Sequence, residues 1–233
     1  MAFIKLKFNL SNVDEALSGG IDEGEITLIC GEPGSGKTTL AMQLALESCL
    51  QGLKVLYVYT DGLFPYPRIE TLAKRRNVLI HLLSLNFHVR HLTVFSSLVK
   101  LVRELELRHQ DHDVVIIDTF TAPYRSLRVE NKREIILHNK TLNQLTAILK
   151  NYVITSEKRV ILTSRLKGLS MSEGLIDEPV ASNILTYWSD NIISILKSDV
   201  PFHRKIAISK AHNSKKFEEC KAHIINGFIE EVD

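Results

Sequence analysis

At 233 residues, with 45% hydrophobic and 24% charged side chains, the chain has an ordinary globular composition, long enough for one large α/β domain or two small ones. A net charge of +2 excludes a broadly basic protein, so any nucleic-acid contact must come from a local patch. The scattered Cys30, Cys49 and Cys220 exclude a disulfide scaffold, and no apolar run approaches the ~20 residues of a membrane span, so a cytoplasmic location is expected.

In chain order, residues 3–10 alternate apolar and polar side chains like a short strand, and residues 11–17 read as a capped helical turn closed by Ser18-Gly19-Gly20. The apolar run 26–30 predicts a core strand. Directly after it stands Gly31-Glu32-Pro33-Gly34-Ser35-Gly36-Lys37-Thr38-Thr39, a full match to G-x-x-x-x-G-K-[ST], and an amphipathic helix is expected over 40–50. In such a loop the glycines let backbone N–H groups curl around a phosphate, and the helix dipole adds to the attraction. Lys37 would reach the β- and γ-phosphates and the Thr38 hydroxyl would ligate Mg²⁺, so the expected ligand is ATP with its Mg²⁺.

Residues 54–59 form a second buried strand ending at Asp61. Pro65 and Pro67 interrupt the chain, and a helix resumes over 68–76. A strand is expected at 92–95, and a helix over 97–108 places Leu98, Leu101, Val102 and Leu105 on one face. The strand 114–117 runs into Asp118, the place for a carboxylate that holds the Mg²⁺ shell; a plain strand-end cap is the simpler reading of such an Asp. Asp61 would face the same crevice, because ligands sit at the carboxyl ends of parallel strands, and could orient the attacking water; an ordinary Asp-Gly turn is the competing reading. A long helix over 131–152, a strand at 159–163, a mobile loop over 166–182, and strands at 191–196, 204–210 and 220–225 complete the pattern. Strands alternating with helices, then a strand-only tail, predict an α/β fold: one mostly parallel sheet flanked by helices and extended by antiparallel strands, in a single domain over residues 1–233.

The ordered segments Leu17-Ser18-Gly19-Gly20-Ile21-Asp22-Glu23-Gly24, Val58-Tyr59-Thr60-Asp61-Gly62 and Ile116-Ile117-Asp118-Thr119-Phe120-Thr121-Ala122-Pro123-Tyr124-Arg125 resemble the RecA/RadA recombinase superfamily. The likeness runs from about residue 10 to the end, is strongest to short archaeal RadA paralogues of the RadB type, and extends to Lys210-Ala211-His212. The resemblance implies a P-loop ATPase core of RecA type. Its water-activating acid falls on Asp61, one methylene shorter than the family's Glu. Its polar sensor falls on Thr163-Ser164-Arg165, with the amide replaced, and its trans-acting Lys-x-Arg pair falls on Lys210 and His212. Three departures at turnover positions imply slow ATPase activity or a nucleotide switch.

The family's two DNA-contacting loops would supply Arg125, Arg128, Lys132 and Arg133 in the first and Lys167 in the second. The first cluster suits phosphate contact but equally suits a solvated helix start; acids at Glu173, Asp177 and Glu178 weaken the second. The expected function is an ATP-binding accessory factor of homologous recombination and repair, with single-stranded DNA and the main RadA recombinase or other paralogues as partners, and oligomers possible. The alternatives are a KaiC-like signalling ATPase and a pseudo-ATPase scaffold, both acting on a protein.

Overall fold

The computed structural model describes residues 5–107, 111–127, 131–165, 179–212 and 217–232. Among the described residues the nine strands are β1 (Ile26–Gly31), β2 (Val55–Tyr59), β3 (Phe87–His91), β4 (Val114–Asp118), β5 (Arg159–Ser164), β6 (Asn191–Lys197), β7 (His203–Lys210), β8 (Phe217–Ile225) and β9 (Phe228–Glu231). They form one sheet in the order β3-β2-β4-β5-β1-β6-β7-β8-β9. The first six run parallel; β7, β8 and β9 each pair antiparallel with their predecessor.

Helices cover both faces of the parallel part, which is why its central strands read as unbroken apolar runs. In β4, Val114 and Ile116 join the core beneath α2 (Lys37–Leu50) and α3 (Tyr66–Arg75), with Leu40, Leu44, Ile69 and Leu72. Val115 and Ile117 point the other way, into a core with α5 (Phe95–Leu107) and α7 (Lys132–Ser156). The spacing of Leu98, Leu101, Val102 and Leu105 puts all four on the buried stripe of α5. Asn131 caps α7 by accepting from the Glu134 amide, while its own amide donates back to the Glu134 carboxylate.

Several local expectations change. Residues 5–10 form only an isolated bridge, Leu6 to Ile21, and no strand. The first helix, α1 (Ser11–Ala16), is not capped by its own serine; the Glu231 carboxylate at the far end of the chain accepts from the amides of Asn12 and Val13. The strand expected at 92–95 lies earlier, as β3, after a short α4 (Ile80–Leu83). The helix expected from residue 68 begins at Tyr66, with Pro67 in the first turn, where its missing N–H costs nothing. Of the expected loop over 166–182, residues 166–178 lie outside the described residues, and α8 (Pro179–Trp188) begins within its last stretch. Among the described residues, no helix is long and apolar enough to cross a membrane.

The antiparallel tail returns to the P-loop helix. Gln43 of α2 donates to the carbonyls of Phe8 and Ile229 and accepts from the Ile229 amide, joining the N-terminal segment and β9 to one side chain.

Candidate nucleotide site

The parallel strands β4, β5 and β1 lie side by side and end at one level, so Asp118, Ser164 and Gly31 meet at their carboxyl ends. Between Gly31 and the start of α2, the backbone folds into a tight loop in which Glu32, Pro33 and Gly34 are exposed and Ser35 and Lys37 are buried. Two positions demand glycine. A Cβ on Gly31 would stand 2.2 Å from the Ile195 carbonyl oxygen, at φ +151°. One on Gly36 would stand 2.9 Å from Ile224 Cδ1, at φ +116°, so the β8–β9 hairpin packs directly on the loop.

Lys37 turns back over the loop and donates to the carbonyls of Gly31 (2.9 Å) and Glu32 (2.7 Å). Burial pushes its ammonium down to about 8; Asp118 opposes this, and the cations Arg165 and Arg125 add to it. The Ser35 hydroxyl is fully buried and, among the described residues, has no hydrogen-bond partner. An ammonium held in low dielectric beside curled backbone amides and an unsatisfied hydroxyl suits a bound phosphate.

Asp118 is fully buried and accepts from the hydroxyls of Thr163 (2.6 Å), Tyr57 (2.8 Å) and Thr38 (3.3 Å). Burial raises its pKa; those three bonds and the Lys37 charge pull it back. The Thr38 hydroxyl and a carboxylate side by side form the oxygen donor set that a hard cation such as Mg²⁺ prefers, so these residues fit the group. Ser164 is buried, with its hydroxyl 3.0 Å from that of Thr121. Thr39 packs within α2.

Asp61, after β2, and Arg165, after β5, face each other across the mouth of the site, with Arg165 Nη2 3.4 Å from Asp61 Oδ2. Arg125 follows β4 on the same side, in α6 (Ala122–Arg125), close enough to Lys37 to bear on its charge. Lys132 and Arg133 are exposed in the first turn of α7, whereas Arg128 and Lys167 lie outside the described residues. Lys210 and His212 sit elsewhere. Lys210 pairs with Ile192 near the start of β6, toward the amino ends of the parallel strands, and donates to the carbonyls of Thr186, Tyr187 and Ser189 at the end of α8. The His212 amide donates to Asn191 Oδ1 at that same end. Within one chain these two residues are not part of the P-loop cluster.

Sequence reasoning missed Tyr57, Thr163 as a donor to Asp118, and Arg204. Arg204 opens β7 and donates to the carbonyls of Ser35 (2.7 Å) and Gly34 (3.3 Å), bracing the loop from its outer side. Nothing in the local sequence marks a strand-interior Tyr or an Arg at the start of a strand as site residues; only the sheet order brings them there.

The family model described as "ATPase: KaiC" matches residues 7–63, which span the P-loop. The DNA repair and recombination protein RadB of Methanosphaera stadtmanae is 31% identical over 208 residues, 88% of this chain and 86% of that protein. RadB of Methanobrevibacter smithii is likewise 31% identical, over 209 residues with the same coverage. A solved structure described as the crystal structure of the RadB recombinase superposes with a TM-score of 0.79 at 26% identity, over 98% of this chain and all of that one. The RecA-type ATPase fold, the P-loop at the carboxyl ends of its parallel strands and full-length likeness at this level place the chain in the RadB family of RecA/RadA-related proteins.

Proposed function

We propose that this protein is an ATP-binding accessory factor of homologous recombination and DNA repair that binds single-stranded DNA and turns ATP over slowly. The observation that carries the nucleotide part is the meeting of Thr38 with Asp118 beside the buried Lys37 ammonium. Thr38 and Asp118 would hold Mg²⁺ with the nucleotide, and the bound ion would neutralise charge on the phosphates. Lys37 would leave the Gly31 and Glu32 carbonyls for the β- and γ-phosphates, and the loop amides would take the β-phosphate. Asp61 is the group with access to a water in line with the terminal phosphate.

Slow turnover is the better reading because Asp61, one methylene shorter than the family's Glu, is engaged by Arg165, and Arg165 and His212 stand where the family has its sensor amide and its trans-acting Arg. The recombination role rests on family membership, whose named members are DNA repair and recombination proteins. Arg125, Lys132 and Arg133, with Arg128 and Lys167, are the proposed phosphate contacts of DNA. A main recombinase or a second paralogue is the proposed protein partner.

A KaiC-like ATPase acting on a protein is the second reading, favoured by the family match over residues 7–63. One experiment separates them: fluorescent single- and double-stranded oligonucleotides titrated with and without ATP and Mg²⁺ at two salt concentrations. Tighter binding to single strands that weakens with salt supports the recombination reading, because phosphate contacts release counterions. No binding at either salt overturns it in favour of a protein partner.

A further inference from the structure

The first hairpin of the antiparallel tail stands beside the phosphate loop. Ile195 of β6 is in register with Gly31, the last residue of β1. β6 continues two residues further, to Lys197, before the chain turns over residues 198–202 into β7. Two tethers hold that turn to the loop. Arg204 donates to the carbonyls of Ser35 and Gly34. The Phe202 carbonyl accepts from the Ile224 amide (2.8 Å), and the Ile224 side chain packs on Gly36. Phe202 is two residues from Arg204, a span of at most about 7 Å along the backbone.

The turn carries a residue that its backbone does not favour. The His203 amide donates to the Val200 carbonyl (3.1 Å), which places Pro201 second and Phe202 third in a tight turn. Phe202 has φ +62°. Positive φ in the third position after proline is the type II arrangement, which glycine or asparagine adopts without the steric cost of a larger side chain. A bulky aromatic residue there works against the fold. Burial does not compensate, because Phe202 is 68% exposed. An exposed ring kept in a strained backbone position, tied to the phosphate loop, suits contact with a ligand.

The linear order of a nucleotide says which part of the ligand. With the cation and the terminal phosphate at Thr38 and Asp118, on the β4 side of the loop, the sugar and base leave on the opposite side, where β6 and its turn lie. We infer that Phe202 is the platform on which the base of the bound nucleotide stacks. The inference rests on the nucleotide reading above and adds the site of the base. An aromatic ring holds a base by its π-face, which every base has, and it overlaps a two-ring purine more fully than a one-ring pyrimidine. Stacking of this kind favours purine nucleotides and does not separate adenine from guanine.

The test is calorimetric titration of the full chain with Mg²⁺ and, in turn, ADP, GDP, CDP and inorganic tripolyphosphate, which has no base. The proteins are the parent, Phe202→Gly, Phe202→Leu and Phe202→Trp, each also melted without ligand and titrated with a fluorescent single-stranded oligonucleotide. Phe202→Gly is expected to lose about tenfold in affinity for ADP and GDP alike, the scale of one base stacked on one aromatic ring. It keeps the parent's affinity for tripolyphosphate, narrows the preference for ADP over CDP, and melts no lower than the parent. Phe202→Trp keeps the parent's affinities, and Phe202→Leu falls between. Unchanged ADP affinity in Phe202→Gly overturns the inference and leaves the nucleotide reading standing. An equal loss for tripolyphosphate, or a lowered melting temperature, also overturns it, since the ring then serves the loop or the fold. A loss confined to the oligonucleotide overturns it by giving the ring to DNA. If the parent binds neither ADP nor tripolyphosphate, the underlying reading fails and the inference with it.

Discussion

The Thr38 hydroxyl donates to Asp118 Oδ1 at 3.3 Å, across 80 residues of sequence. The contact exists because α2 begins where β1 ends, and β4 ends two strands away at the same level. It gathers a hydroxyl, a carboxylate and the neighbouring Lys37 ammonium into one polar nucleus at the edge of an apolar core.

Asp118 therefore offers a clean separation of cation binding from folding. Its charge is buried and its pKa is raised by that burial, so the ionised form is held at a cost that a neutral amide avoids. Asp118→Asn keeps a hydrogen-bonding side chain for Thr163, Tyr57 and Thr38. Its thermal stability should stay within about 1 kcal/mol of the parent or rise, while the dependence of nucleotide affinity on Mg²⁺ disappears. Asp118→Ala strands three hydroxyls and should lose about 2–4 kcal/mol. Thermal melts and titrations with and without Mg²⁺ read both effects; an Asn variant that keeps its Mg²⁺ dependence removes Asp118 from the cation site.

The second prediction concerns pH. Lys37 stands at about 8 in the nucleotide-free chain, against an ordinary value of 10.5. Between those values the unfolded chain holds the proton and the folded chain does not, so this group makes stability rise with pH in that window and penalises the fold below it. Phosphate binding runs the other way, because it needs the charged form. ADP affinity should be level up to neutral pH and fall above pH 8, with proton uptake approaching one per nucleotide; the ligand's own phosphates have finished titrating by about pH 7. Calorimetry in buffers of different ionisation enthalpy measures that uptake. A flat affinity from pH 7 to about 9.5 would separate Lys37 from the phosphates.

Much of this was legible in the chain, and the parts that were not share a cause. The P-loop, the apolar strands around it and the Asp118 terminus are local patterns, and the structure keeps them. β3 was displaced in the sequence reading because an edge strand written Phe87-His88-Val89-Arg90-His91 carries charge on a half-covered surface and lacks a core strand's apolar run. β9 went unread although Asn226-Gly227, both at positive φ, is a strong hairpin signal between two apolar stretches. Tyr57 and Arg204 could not be read at all. Their roles exist only after β2, β7 and the P-loop have been brought to one end of the sheet.

Arg204 supplies the third prediction. It grips the Ser35 and Gly34 carbonyls of the loop, so the expected role is positioning. Arg204→Ala should lower affinity for ADP and ATP analogues alike, by about three- to tenfold, with a stability loss of about 1–2 kcal/mol. Arg204→Lys, which can hold one carbonyl but not the fork, should recover part of the affinity. Preferential loss of the triphosphate would give Arg204 a direct role and contradict bracing.

Lys210 supplies the last. The family resemblance assigns it to a neighbour's active site, whereas in its own chain its ammonium closes the carbonyl end of α8 through Thr186, Tyr187 and Ser189. A cation there offsets the negative end of the helix dipole, a contribution of about 0.3–1 kcal/mol. Two roles make different forecasts for Lys210→Ala. If capping is its whole role, the melting temperature falls by a few degrees and ATP turnover per chain is the same at every protein concentration. If it also serves a neighbouring subunit, turnover of the parent rises with protein concentration as chains associate, and the variant loses that rise while keeping the parent's nucleotide affinity in dilute solution. The capping bonds favour the first outcome for the monomer. Sedimentation alongside turnover over a wide range of protein concentration decides whether an assembly recruits the same ammonium for a second purpose.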